Sequence, residues 1–172
     1  MSLKPTGFFG GAVCASIPPD WRDFSLDRPV QDNQEIFVDR SSGSVFVIDI
    51  VESPSVDASS MGKFHFDDLS ESNGMEGAMV DSSGEPPFSM NLLTVPHQSC
   101  FLVGSGTVED YIYEDDKSKT KTLYTYLTIL RFKESNTDIL VYITDATENQ
   151  QLKSVYFKIM ATLEINTKQL GL

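Results

Sequence analysis

The segment RPVQDNQEIFV, residues 28–38, joins an acidic polar loop directly to an apolar, β-branched run. Pro29 fixes its own φ and disfavours helical backbone at the residue before it, so we expect the loop to be extended there. Asp32 and Asn33 are typical of a turn, because their short side chains can hydrogen-bond to nearby backbone groups. The segment therefore predicts a stiff, solvent-facing turn that leads into a strand over residues 35–39.

A second strand is predicted at residues 45–52, after the short connection RSSGS at residues 40–44. The glycine of this connection can adopt the positive φ that a tight turn needs, so the two strands are expected to form a β-hairpin. The run VFVIDIV is almost wholly apolar, which predicts a central strand covered on both faces. Asp49 interrupts the run, and we expect its carboxylate to lie at a sheet end or to be hydrogen-bonded.

The rest of the chain predicts more strands and two helices. Apolar and alternating patterns predict strands at 12–17, 99–113 (as one strand or two), 122–132 and 138–144. Helical spacing of apolar residues predicts one helix at 57–69 and another at 152–163, the second preceded by a capping box at 147–150. Residues 70–87 are rich in Ser, Gly, Glu and Pro, which predicts a long surface loop that could hold a short strand at 77–81.

These elements predict an α+β protein in which an antiparallel sheet of about six strands is flanked by helices. A length of 172 residues with 40% hydrophobic content fits one domain over residues 1–172. No apolar run approaches the ~20 residues of a membrane span, and the N-terminus lacks the pattern of a signal peptide. We therefore expect an intracellular protein, with Cys14 and Cys100 as buried free thiols.

The charge of the chain is unevenly distributed. Residues 1–90 contain 15 Asp and Glu but only five Lys and Arg, so most of the formal net charge of -12 belongs to the half that holds segment 28–38. An acidic surface repels nucleic acid and anionic membranes and accelerates encounter with a basic protein. A merely solvated, soluble face is the other interpretation of the same charge.

Catalytic and metal-binding motifs find little support in the sequence. His65 and His97 do not stand in metal-ligand spacing with the cysteines, and a Cys–His nucleophile pair is only formally possible. The Gly-Ser-Gly at 104–106 lacks the remaining glycine of a dinucleotide-binding loop, and no Walker loop occurs. We expect no metal, no cofactor and no bond-breaking activity.

Three pieces of the chain carry a family resemblance: FGGA at 9–12, IP at 17–18 and DRPVQDNQEIF at 27–37. In this order they resemble the Ran guanine nucleotide release factor family, the Mog-type proteins, which carry a Phe-Gly-Gly-Ala start and an Arg-x-Val-Pro-Asp-Asn/Thr-Gln-Glu-Val-Phe signature. Weaker matches at FHFDD (64–68) and TDILV (137–141) extend the resemblance over most of the chain. Gln31 stands where the family usually has proline.

The resemblance implies an α/β/α sandwich of the PsbP-like type. It also implies binding to the small GTPase Ran with release of its bound guanine nucleotide, in the nucleus and the cytoplasm. Asp27, Asp32 and Glu35 would then reach basic groups of the GTPase, while Arg28 would orient the loop or contact the partner. For Asn33, capping a turn is at least as good an interpretation as binding the partner. We expect a monomer.

Two alternatives remain open at the level of the sequence. A passive acidic adaptor would bind Ran, or another basic protein, without accelerating nucleotide release. An enzyme or ligand-binding protein of the same fold would use a pocket that the sequence does not reveal. The first alternative predicts binding that is indifferent to the nucleotide state of the GTPase, whereas a release factor requires a difference in affinity between states.

Overall fold

The computed structural model of the chain describes residues 2–109, 119–146 and 150–172. The strands in these ranges are β1 (Lys4–Phe8), β2 (Val13–Ile17), β3 (Arg22–Asp23), β4 (Gln34–Val38), β5 (Val45–Glu52), β6 (Glu76–Gly84), β7 (Gln98–Glu109), β8 (Thr120–Phe132), β9 (Thr137–Asp145) and β10 (Glu164–Ile165). The helices are α1 (Ala58–Ser72), α2 (Gln150–Ala161) and α3 (Thr167–Leu170).

The main sheet has seven strands in the order β3-β4-β5-β9-β8-β7-β6, and every neighbouring pair is antiparallel. Strands β6 to β9 follow one another as a meander, and the predicted β4–β5 hairpin joins this meander where β5 pairs with β9. A smaller sheet has the order β1-β2-β10. The α+β class is confirmed, and about six predicted strands correspond to seven in the main sheet.

Both faces of the main sheet are covered, as the apolar run in β5 predicted. Alternate β5 side chains point to opposite faces: Phe46 and Ile48 lie in the core cluster that contains α2, while Val47 lies in the cluster that contains α1. The side chains that α2 buries form the apolar stripe predicted from its sequence: Leu152, Val155, Tyr156, Ile159 and Met160. The architecture is therefore the α/β/α sandwich that the resemblance implied.

Helix α1 approaches the sheet closely at a glycine of β7. A Cβ atom on Gly104 would lie 2.4 Å from the Cζ atom of Phe66, whose side chain is fully buried. Only a residue without a side chain leaves room for this ring, because contacts that short are strongly repulsive.

We predict that Gly104→Ala lowers the free energy of unfolding by about 1–3 kcal/mol, because either the Phe66 ring or the helix must move. Urea denaturation monitored by circular dichroism measures this loss. Gly84→Ala is the matched control, since Gly84 also lies in a strand but has open space where a Cβ would stand. Equal stability of the two variants would contradict the close packing of α1 on β7.

The loop predicted at 70–87 is wrong over most of its length, but the short strand that it could hold at 77–81 lies inside β6. Helix α1 continues to Ser72. In its last turns the Ser70 hydroxyl donates to the Phe66 carbonyl at 2.7 Å. Strand β6 then occupies Glu76–Gly84 at the edge of the sheet. Every residue of β6 is exposed, so the alternation of buried and exposed positions that reveals a strand in sequence is missing there.

Smaller differences concern the first strand and the cysteines. The strand predicted at 12–17 is β2, but β1 was not predicted, because it carries a proline and a glycine among mostly exposed residues. Cys14 and Cys100 are both free, as expected, yet each is only half-buried. The predicted continuation of a strand over 110–113 and the capping residues 147–149 lie outside the described residues.

Candidate partner-binding surface

The loop between β3 and β4 is anchored at its start by an ion pair. Asp27 accepts hydrogen bonds from Arg22, with an Nε–Oδ2 distance of 2.9 Å, and from Arg40 at 3.3 Å. The hydrogen bond from Arg22 holds the pKa of the Asp27 carboxyl below its ordinary value. Asp27 therefore has two basic partners within its own chain, and its first role is to hold the loop.

The end of the loop is anchored to β5 through Asn33. The side-chain amide of Asn33 donates to Asp49 Oδ1 at 2.8 Å and to the backbone carbonyl of Ile50 at 3.2 Å. The backbone carbonyl of Asn33 accepts from the Ile50 N–H at 2.9 Å. Gln34 also donates to Asp49, at 3.1 Å. Burial raises the pKa of Asp49, and the Gln34 hydrogen bond offsets part of that effect. The predicted hydrogen bonding of Asp49 is confirmed, and Asn33 holds the turn.

Glu35 connects β4 to the N-terminal glycine turn. Its Oε1 atom accepts the Phe9 N–H at 2.7 Å. Phe9 has a φ of 52°, and Gly10 and Gly11 have φ values of 66° and 90°, so this turn runs through left-handed backbone. Such backbone is costly for a phenylalanine and persists where neighbouring contacts hold it. The glycine motif and the acidic motif of the sequence are therefore joined by one hydrogen bond.

Asp32 and Arg28 differ from these anchors. Both side chains are exposed, and neither has a hydrogen-bond or ion-pair partner within the ranges 2–109, 119–146 and 150–172. Asp32 stands inside a turn closed by the Gln34 N–H, which donates to the Gln31 carbonyl at 3.0 Å. The fold thus presents the Asp32 carboxylate to solvent on backbone that is fixed from both sides.

We predict that Glu35→Ala destabilises the protein by about 1–3 kcal/mol, because it leaves the Phe9 N–H without its charged acceptor. Chemical denaturation measures the loss, and the amide shift of Phe9 in an NMR spectrum locates it. Glu35→Gln serves as control, since an amide oxygen can still accept this bond. Unchanged stability and an unchanged Phe9 signal in the alanine variant would contradict the anchoring role of Glu35.

The sequence did not predict a buried ionic cluster that lies where β8 ends and β9 begins. Arg131 forms two hydrogen bonds of 2.8 Å to the fully buried Asp138, which also contacts His65 at 2.7 Å and Ser53 at 2.7 Å. Burial alone would raise the pKa of Asp138, but the hydrogen bonds from Arg131, His65 and Ser53 outweigh it and hold that pKa well below its ordinary value. Opposite charges at paired positions of two apolar strands are the signal that could have predicted this cluster.

A cavity of about 510 Å³ adjoins this cluster and is lined by Ser53, Lys133 and Asn136, among others. Arg131 also lines it, but its guanidinium is already engaged by Asp138 and by the Val56 carbonyl. The described part of the chain contains no group of His, Cys, Asp and Glu side chains arranged to hold a metal ion. No helix among the described residues is long and apolar enough to cross a membrane.

The fold is that of a known class of small α/β/α proteins. The crystal structure of the Saccharomyces cerevisiae Ran-binding protein Mog1p superposes with a TM-score of 0.71, at 18% identity, and covers 98% of both chains. The family described as Ran-interacting Mog1 protein matches residues 6–146. The chain belongs to this Mog1 family.

Three relatives match between 46% and 81% of this chain. The Ran guanine nucleotide release factor of Homo sapiens is 26% identical over 143 residues, which is 81% of this chain and 75% of the relative. The protein of the same name from Danio rerio is 26% identical over 144 residues, with 80% and 75% covered. The nuclear import protein mog1 of Schizosaccharomyces pombe is 33% identical over 87 residues, with 46% of this chain and 45% of the relative covered.

Proposed function

We propose that this protein binds the small GTPase Ran and promotes the release of its guanine nucleotide. Membership of the Mog1 family and the names of the relatives support Ran as the partner. The observation that carries the site is the exposed Asp32 carboxylate, which has no partner in the described part of the chain and stands on an anchored turn. Arg28 shares this exposure, while Asp27, Asn33 and Glu35 hold the backbone that presents them.

The mechanism is a difference in affinity between two states of the GTPase. A partner that binds the nucleotide-poor state more tightly than the loaded state must, by thermodynamic linkage, weaken nucleotide binding. A site that has lost phosphates and metal leaves basic groups without negative charge, and a carboxylate on a rigid turn can satisfy them. The protein acts in this proposal as a regulator of a GTPase and breaks no bond of its own.

The charge of the chain supports the encounter step. A formal net charge of -12 draws a basic surface toward the protein and raises the association rate at low ionic strength. Such steering needs no fixed contact, so it would serve an adaptor equally well. Because two relatives are named nuclear import proteins, we extend the proposal to action in nucleocytoplasmic transport, in the nucleus and the cytoplasm.

Release of a fluorescent guanine nucleotide from purified Ran tests this proposal. We expect faster release in the presence of the protein, together with tighter binding to nucleotide-free Ran than to loaded Ran. Serum albumin at equal concentration controls for unspecific effects. Binding that is equal for all nucleotide states, with an unchanged release rate, would establish the adaptor instead, and absence of binding to Ran would reject both.

A further inference from the structure

Within residues 2–109, 119–146 and 150–172, strand β6 forms an open edge of the main sheet. It pairs there with β7 on one side only and ends the strand order β3-β4-β5-β9-β8-β7-β6. All nine of its residues are exposed. The outward N–H and C=O groups of an edge strand remain available for pairing with another extended chain, which is the physical basis of strand addition in peptide recognition.

The side chains of this edge combine apolar surface with negative charge. Met79 is 60% exposed and Val80 is 37% exposed. Because successive strand residues point to opposite faces, each face of β6 carries one exposed apolar side chain here. Between Phe64 and Glu109 the chain has no lysine or arginine. Glu76 and Asp81 lie on β6, and Glu85 directly follows it. An extended segment that docks here would cover Met79 and Val80 and meet the carboxylates of Glu76 and Asp81.

A second copy of the chain is a poor occupant of this edge. Two copies would each bring a formal net charge of -12, and like charges brought together at an interface are unfavourable. The register of β6 also shifts between Glu76 and Met79 and again between Val80 and Ser82. Bulges of this kind break the straight edge that sheet-to-sheet association requires. Short regular stretches remain, which suit a peptide segment better than a whole sheet.

We propose that β6 is a docking edge for an extended, lysine- or arginine-bearing segment of a partner protein, which adds as a further strand beside Met79 and Val80. The backbone of β6 supplies hydrogen bonds, the two apolar side chains supply buried area, and Glu76 and Asp81 select basic side chains. This edge is separate from the Asp32 turn: β4 and β6 stand five strand spacings apart in the sheet, about 24 Å. A peptide segment bound at β6 therefore neither needs contact with the Asp32 turn nor covers it.

A fluorescein-labelled nonapeptide of alternating lysine and valine is the probe, and fluorescence anisotropy measures its binding to the intact chain. Two further peptides separate the contributions: one with N-methylated alternate amides, which cannot pair along one edge, and one with glutamate in place of lysine. We expect the N-methylated peptide to bind at least tenfold more weakly and the glutamate peptide not to bind. Equal binding of the N-methylated peptide would overturn strand addition.

Variants of the protein locate the binding. We expect the double variant Glu76→Lys/Asp81→Lys to bind the lysine peptide at least tenfold more weakly than the wild type. The control variant Asp20→Lys/Glu164→Lys changes the net charge by the same amount at exposed residues outside β6, and its affinity should change less than twofold. NMR shift changes on adding the peptide should concentrate in residues 76–84 and 98–109. Equal weakening by both variants, shift changes centred on residues 28–35, or a peptide-independent doubling of the mass in sedimentation would each overturn the proposal.

Discussion

Asp138→Ala should lower the free energy of unfolding by about 3–5 kcal/mol, the range found when one partner of a buried ion pair is removed. Asp138 is fully buried and is the common acceptor for Arg131, His65 and Ser53. Alanine would leave the buried guanidinium of Arg131 without its counter-charge, and the remaining bond to the Val56 carbonyl cannot neutralise it. Urea denaturation followed by tryptophan fluorescence measures the loss, because Trp21 is buried in the core.

The same carboxyl makes stability depend on acid. Because the folded state holds the pKa of Asp138 below its ordinary value, the stabilisation is complete above the unfolded pKa of about 3.9 and is lost as the pH falls below it. The alanine variant should therefore lose less stability than the wild type between pH 5 and pH 3. Asp67→Ala is the control, since Asp67 is an exposed aspartate of α1 and should change stability by less than about 0.5 kcal/mol. Equal stability of the Asp138 and Asp67 variants would contradict the buried cluster.

Strands that alternate between two buried faces could be predicted from the sequence, whereas exposed strands were predicted only in part, at 77–81 of β6, or not at all, as for β1. In β5, Phe46 and Val47 point to opposite cores, so an uninterrupted apolar run identifies a central strand. In β6 no residue is buried, and its Ser, Gly and Asp content is that of a loop. The pairing with β7 that makes it a strand depends on backbone hydrogen bonds, which leave no pattern in the side chains.

The candidate site shows the same division between local and distant information. Proline and Asx chemistry predicted a stiff turn at Asp32, and the turn is present. The anchoring of Glu35 depends on Phe9, which lies 26 residues earlier in the chain. No local rule gives such a contact. The family resemblance used both motifs together, and their hydrogen bond supplies a physical reason for their occurrence in one protein.

This division changes the meaning of the predicted site residues. Asp27 and Glu35 were expected to contact a partner, and Asn33 either to contact it or to cap the turn. Each of the three has an internal bond whose loss would disturb the loop. A variant at any of them would confound loss of contact with loss of anchoring. Asp32 and Arg28 lack such bonds within the described ranges, so they offer the cleaner test of the surface.

Asp32→Lys should reduce the rate of Ran nucleotide release at limiting protein about 10- to 100-fold, because it replaces an attraction to a basic partner with repulsion. Its stability should equal that of the wild type, since the exposed carboxylate has no internal contact in the described structure to lose. Asp32→Asn should fall between the two, because it removes the charge without reversing it. The difference between Asp32→Lys and the wild type should also shrink as salt increases, if the contact stays partly solvated.

Asp67→Lys separates a local contact from a change in net charge, because it makes the same charge reversal at an exposed residue of α1. If Asp32 contacts the GTPase, the Asp67 variant keeps most of its activity; if only long-range steering matters, both variants slow release alike. Measuring the affinity for nucleotide-free and loaded Ran completes the argument. Linkage ties nucleotide release to the difference in affinity between nucleotide-free and loaded Ran. If the protein is a release factor that uses Asp32, Asp32→Lys lowers the affinity mainly for nucleotide-free Ran. If it is an adaptor that uses Asp32, the substitution lowers the affinity for both states equally.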